Sequence, residues 1–366
     1  MRERVQWVDT AKFFGIFAIY LGHFGYAAGK SYSFVFSYHV AFFFLLSGCM
    51  SNYDKETNLG RFFVKKIKSI MIPFWMFSVV SIVIHVIQND SGLKSIKDML
   101  IVVAKGNIRN SFVASALWFL SCLFLMEIIF KLLKYLQNKW LICLICLCMY
   151  VIAEKVITPR PISQPHWLYN LDSVFYYIIY YAIGYLIYPF VLELFELDTR
   201  LKRNIFLFSG GAAFVISAFY FMGKDCLGSV FGMLPFSSLF LPILKALVMI
   251  WVNLIAAKMV EKVALFNEMG SQTLFLCGNE YVVKTLLTCF VGLFGIEIAL
   301  NSPLYVYLYT TLVLIVCTRL VIPFEKKVIA SVKETFRRDH YGKKRSVIRD
   351  SAAAEVRSVS KDAEDV

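Results

Sequence analysis

The sequence predicts an all-α, polytopic membrane protein, and three observations carry that prediction. Hydrophobic residues fill 59% of the chain and charged residues only 17%, whereas soluble domains are roughly 45–50% apolar. Apolar runs near the 17–25 residues that a spanning helix needs recur along the chain. Lys and Arg gather between alternate runs, as the positive-inside rule describes.

The runs fall near 11–28, 33–52, 69–88, 112–133, 139–153, 173–192, 204–222, 238–257, 273–296 and 303–323, about ten spans in all. Basic residues precede the first (Arg2, Arg4) and follow the second (Lys55, Arg61, Lys65, Lys66, Lys68). They also follow the fourth (Lys131, Lys134, Lys139), the sixth (Arg200, Lys202, Arg203) and the eighth (Lys258, Lys262). This pattern puts both termini in the cytoplasm. It also accounts for most of the net charge of +13, so nucleic acid is not implied as a partner. The basic stretch 89–111 falls on the outer side, against the rule, and reads as an amphipathic surface segment.

A basic start before an apolar run imitates a signal peptide, but Asp9 and Lys12 interrupt it. Residues 1–323 form the membrane domain, and 324–366 a charged cytoplasmic tail, largely disordered, with a helix near 325–338. The nine cysteines are scattered through apolar segments. Cys143-x-x-Cys146 has redox or zinc spacing, yet it lies inside a span without a second ligand pair, so no metal is expected and the cysteines read as small buried hydrophobes.

The stretch Asp9–Gly48 organises the rest. Ionisable groups inside a bilayer are costly unless paired or hydrated, and here Asp9, Lys12, His23 and His39 lie in or beside the first two spans. Eleven residues at about 100° each bring Lys12 and His23 onto one stripe, about 16 Å apart. Asp9 pairs with Lys12 at i,i+3 and lies about 20 Å from His23, too far to orient it. A break centred near Ser31 leaves His23 and His39 eight residues away on either side, at matched depth in an antiparallel hairpin. Alternatively, each histidine caps a helix end or sits at the interface.

The run Asp9-x-x-Lys12-x(10)-His23, followed by His39-x-x-Phe-Phe-Phe-Leu-Leu-Ser-Gly48, resembles the acyltransferase 3 family of integral membrane acyltransferases, especially its fucose 4-O-acetylase-like branch. There, a basic residue, ten positions and a His mark the first helix, and a His-Met-Pro-Leu-Phe-Phe-like stretch marks the second. This chain has Val40-Ala41 where Met-Pro is expected. The resemblance implies transfer of an acyl group, acetyl in the simplest case, from acyl-CoA to a hydroxyl of a cell-surface or lipid-linked glycan. The donor acetyl-CoA is a substrate, no bound cofactor is implied, and the setting is the cell (inner or plasma) membrane.

Under this resemblance His23 is the general base, since imidazole titrates near neutrality. His39, Asn279 or Trp118 stabilises the oxyanion, and Asp9 and Glu280 complete the catalytic candidates. Lys12, Lys65, Lys66 and Lys68 hold the donor phosphates as point charges. The lysine cluster reads equally as a topology signal or an anionic-lipid contact.

Leu117-Trp118-Phe-Leu is similar to a recurrent family feature, or is an interfacial belt residue; Glu127 is expected to pair with Lys131 at i+4. Segment 154–172 is Pro-rich and extended, and its Arg160, His166 and Trp167 suit a sugar face. In the ninth span Asn279 or Glu280 stands where the family often has His. Glu280 either orients His23 or His39, or pairs with Lys284 at i+4. A transporter or flippase for a polar or lipid-linked substrate is the competing class. The paired halves and matching interrupted spans common in transporters are not evident. A catalytically silent membrane sensor is the third reading.

Overall fold

The computed structural model describes residues 5–52, 55–89, 92–109, 111–112, 116–331 and 334, and every regular element among them is helical. The chain forms two compact units, Met1–Ile315 and Val316–Val366. Arg2 and Arg4 lie outside the described residues, as does the predicted tail beyond 331 apart from 334.

Among the described residues, seven helical stretches are long and apolar enough to cross a membrane, Lys30–Ser51 being counted through its internal turn. Three further apolar helices of 17 residues each occupy the first, fourth and fifth predicted runs: α1 (Gln6–Gly22), Leu117–Leu133 and Lys139–Lys155. The protein is an all-α multi-pass membrane protein.

Two predicted segments differ from the structure. The second run is not one helix but α2 (Lys30–Phe36) and α3 (His39–Ser51), separated at Ser37 and Tyr38. Tyr38 leaves helical geometry, at φ −146 and ψ −23. The third run begins ten residues earlier than expected, as one continuous helix α4 (Leu59–Asn89). Its start is set by Asn58, whose side-chain oxygen accepts the Arg61 N–H at 2.9 Å, a helix cap. Arg61, Lys65 and Lys68 recur at i+4 and i+3 along one side. Phe62, which is buried, shares the opposite side with Lys66. A wide turn, Ile67–Met71, precedes Pro73, and such i→i+5 turns accommodate irregularity inside helices.

After α5 (Leu93–Ala104), an amphipathic helix with Met99 and Val103 buried, come α6 (Leu117–Leu133), α7 (Lys139–Lys155) and α8 (Leu171–Leu194). α3 and α8 cross at reciprocal glycines. A Cβ on Gly48 would strike the Tyr181 carbonyl, and one on Gly184 would strike the Leu45 carbonyl. Close backbone approach through small residues is a principal means of helix association in a membrane, where apolar burial gives little drive. Cys49 Sγ to Gly184 O at 3.4 Å and Asn52 Nδ2 to Tyr185 O at 3.1 Å join the same crossing.

α9 (Arg200–Phe221) and α10 (Ser237–Met259) pack together, and α10 also lies against α1. α1 is the central element. It touches α3, the short α11 (Ala264–Ser271) and α12 (Thr273–Gly292). Phe13 stacks on Phe266 at 4.4 Å, and Thr10 donates to Asn267 at 2.8 Å. Tyr20 donates to the Leu276 carbonyl at 2.8 Å, which sets the register of α12 on α1. α13 (Pro303–Val316) follows.

The 154–172 loop is tied down rather than free. Tyr169 N–H donates to Lys105 O at 2.8 Å, and the buried Asn170 donates to Gly106 O at 2.8 Å and Ser121 Oγ at 3.0 Å.

Candidate active site

The register of α1 against α12 brings together groups 257 positions apart in the chain. His23 Nδ1 lies 2.8 Å from both carboxylate oxygens of Glu280. Lys284, one turn further along α12, donates to Glu280 Oε1 at 2.6 Å. Both expectations for Glu280 therefore hold at once: it contacts His23 and pairs with Lys284. Glu280 is 0% exposed, and a carboxylate so buried persists as an anion only with partners that replace water. The Lys284 ammonium is held in turn over the Phe24 and Tyr20 rings, at 4.0 and 5.1 Å.

This geometry fixes the imidazole tautomer. A carboxylate accepts, so His23 Nδ1 carries the proton and Nε2 of the neutral ring presents its lone pair. A His whose other nitrogen is bound to a carboxylate is held in one orientation.

His39 is the first helical residue of α3. The break at Ser37–Tyr38 frees the Val35 carbonyl, which accepts Tyr38 N–H at 3.1 Å and His39 Nδ1 at 2.7 Å. The carbonyl only accepts, so neutral His39 also has a bare Nε2. It therefore fits poorly the expected role of oxyanion donor, which requires a hydrogen there. Phe36 lies between the two histidines: its ring is 4.9 Å from that of His39, and a Cβ on Gly22, next to His23, would approach it to 3.0 Å. The single break expected near Ser31 is instead two, at Gly25–Ala28 and at Ser37–Tyr38.

Arg109 carried no expected role. Its guanidinium lies 4.3 Å over the Trp118 ring and donates to Ile162 O at 2.7 Å and Pro161 O at 3.4 Å. Trp118 is buried, with its ring 6.4 Å from that of Tyr177. The pairing has no sequence signal, because it joins a loop residue to a helix start and to a second, Pro-rich loop.

Toward the other ends of α1 and α3 lies a cavity of about 260 Å³. Lys12, Lys66, Lys131 and Lys134 stand around it with Glu127, and its walls are apolar, including Phe43, Phe119, Leu123 and Tyr181. Lys12 pairs with Asp9 at 3.5 Å. Glu127, expected to pair with Lys131, forms an ion pair with Lys66 of α4. Lys131 and Lys134 donate to the backbone carbonyls of Glu56 and Ser51.

The expected donor cluster is split by helix geometry. Lys66 faces the cavity, whereas Lys65 and Lys68 lie in a shallow surface groove with Arg61 and Ser69. Successive residues turn by about 100° on a helix, so three neighbouring lysines cannot serve one pocket. Lys131 and Lys134, three residues apart at the end of α6, were legible as a basic pair but not as cavity walls.

Asp9 remains with Lys12, its backbone carbonyl against Gly270. Asn279 is buried beside Glu280, at 1% exposure. Arg160 is exposed. His166 is exposed too, and its N–H and Nδ1 lie 2.7 and 3.4 Å from Asp172 Oδ2. The His166 contacts bind the loop to the start of α8 rather than to His23 or His39. Among the described residues no cluster of three potential metal ligands occurs.

No curated protein and no solved structure matches the chain. The acyltransferase domain model of the Acyl_transf_3 family matches residues 5–322. That span runs from the start of α1 past α13 and includes both histidines, Glu280 and the lysine-lined cavity. The chain thus belongs to the acyltransferase 3 family and is a membrane acyltransferase.

Proposed function

We propose that the protein transfers an acyl group, acetyl in the simplest case, from acyl-CoA to a hydroxyl of a cell-surface or lipid-linked glycan, with His23 as general base. The observation that carries this reading is the contact of His23 Nδ1 with both oxygens of Glu280. It leaves Nε2 to take the hydroxyl proton as the alkoxide oxygen attacks the thioester carbonyl. The C–S bond then breaks, the thiolate leaves, and the proton on His23 returns to it. Glu280 stabilises the imidazolium formed between these steps, and Lys284 keeps Glu280 ionised.

The cavity supports a donor site. Lys12, Lys66, Lys131 and Lys134 provide charge for the phosphates of coenzyme A, and the apolar walls suit the pantetheine arm. His39, with its bare Nε2, orients the acceptor hydroxyl in this scheme or serves the oxyanion only as the imidazolium. Trp118 and Asn279 line the acceptor side. The resemblance to the fucose 4-O-acetylase-like branch favours a saccharide acceptor.

Basic loops support a cytoplasmic lysine end and cytoplasmic termini, in the cell membrane. Reporter fusions after residue 331 and within 154–172 are expected to report opposite sides, and same-side signals reject that topology. His23→Ala is expected to abolish ester formation from acetyl-CoA in membranes while the protein accumulates normally. Wild-type ester levels in that variant refute the assignment.

A further inference from the structure

Among the described residues, six partly buried lysines hold a carboxylate, while Lys131 and Lys134 at the cavity donate to backbone carbonyls. Lys12 has Asp9, Lys66 has Glu127, Lys202 has Asp198, Lys245 has Asp225, Lys258 has Glu261 and Lys284 has Glu280. Arg109 does not. Its partners are two carbonyls and the Trp118 face, and no carboxylate pairs with it among the described residues. A guanidinium stays charged at any physiological pH and has five N–H donors, of which these bonds use two. Stacking on the indole fixes its plane, and a fixed fork of donors matches a carboxylate or phosphate in two-pronged fashion.

The position is informative. Arg109 stacks on Trp118, whose ring lies 6.4 Å from Tyr177, and Tyr177 lies 5.1 Å from Phe44 of α3, the helix that His39 begins. The lysine cavity is lined by the later part of that helix, Phe43 to Ser51. The Arg109 charge is therefore not one of those offered to the donor. Three of its five N–H donors remain for a ligand.

We propose that Arg109 is an anion seat for the acceptor: the glycan carries a carboxylate or a phosphate close to the hydroxyl that is acylated, and this anion pairs with the guanidinium. The proposal rests on the acyl-transfer reading in taking the ligand to be the acceptor. It makes Arg109 a specificity residue, and the preferred substrate a sugar acid or a sugar phosphate rather than a neutral sugar.

The test uses the full chain in detergent and three probes: methyl glucoside, glucuronate and glucose 1-phosphate. Wild type is expected to bind one charged probe at least about tenfold more tightly than the neutral one, about 1.4 kcal/mol. Arg109→Gln is expected to level the difference without weakening methyl glucoside, and Arg109→Lys to keep part of it. A preference for glucuronate points to a sugar acid, and one for glucose 1-phosphate to a phosphate-linked saccharide. Lys66→Gln is expected to leave the preference intact; its loss there assigns the anion to the lysine cavity and overturns the seat.

The proposal also falls if wild type does not discriminate, if discrimination survives in Arg109→Gln, or if that variant weakens all probes alike, as a mere loop tether would. If Arg109→Gln does not fold, an unaltered preference in Arg109→Lys has the same overturning force. Adding acetyl-CoA separates the two readings. Charge preference without any ester on the bound probe keeps the seat and rejects acyl transfer. Ester on both kinds of sugar with no charge preference keeps acyl transfer and rejects the seat.

Discussion

The two polar ends of α1 are built on opposite principles. At one, Lys12 carries 29% side-chain exposure, holds Asp9 at 3.5 Å and borders a cavity shared with three other lysines. At the other, His23 is clamped at 2.8 Å by a carboxylate with no exposure, which Lys284 holds at 2.6 Å. The first arrangement is loose and redundant, the second tight and singular. Binding a multiply charged ligand needs only point charges in reach of it, whereas moving one proton needs one nitrogen in one tautomer at one place.

The contrast can be broken most severely at the tight end. His23→Ala is expected to lower kcat by about 10²–10⁴-fold, the usual range for a lost general base, with little change in KM for acyl-CoA. A loss confined to KM would transfer His23 to the binding end. Glu280→Gln keeps the shape but removes the charge that fixes the tautomer. A kcat loss of about 10–100-fold is expected, the range seen when a supporting partner is removed. Because the substitution also leaves Lys284 without an anion, a lower melting temperature accompanies it. Unchanged kcat with a lower melting temperature would make Glu280 purely structural.

At the loose end the effects are smaller and fall on the donor. Lys66→Gln is expected to raise KM for acyl-CoA by about tenfold, the scale of one lost charge-assisted hydrogen bond, with kcat nearly constant. The effect should shrink at high salt. Lys65→Gln with Lys68→Gln is expected to change the same KM by less than about twofold, as these lysines occupy the outer groove. An equal response from the two sets of lysines would erase the distinction drawn from helix rotation.

What the sequence discloses follows from how local each cause is. Spans were legible because twenty apolar residues are a local fact, and the Lys12–His23 stripe because helical periodicity is. The true start of α4 was hidden by charge: Arg61, Lys65 and Lys68 look like a loop until Asn58 is seen to cap a helix beneath them. The division of α2 from α3 rests on the backbone at Tyr38, with neither Gly nor Pro to signal it. Glu280 was legible as a charge needing a partner, but the choice of His23 over His39 required the α1–α12 register set by Tyr20 and Leu276. Arg109 was beyond reach, since its value comes from what it lacks in three dimensions.

Phe43, one turn into α3, sets one edge of its ring against Gly15, where a Cβ would approach it to 2.6 Å. Its ring also meets Phe119, which meets Phe44 in turn. Gly15 sits between Lys12 and His23 on α1, so these rings line the way from the lysine cavity toward the histidines. A string of titratable groups inside a bilayer is a potential wire for protons. Phenyl rings have no group to hydrogen-bond a chain of water, so a lining made of them disfavours such a wire as well as packing the helices. Opening it widens a pocket and also tests whether the cell tolerates the leak.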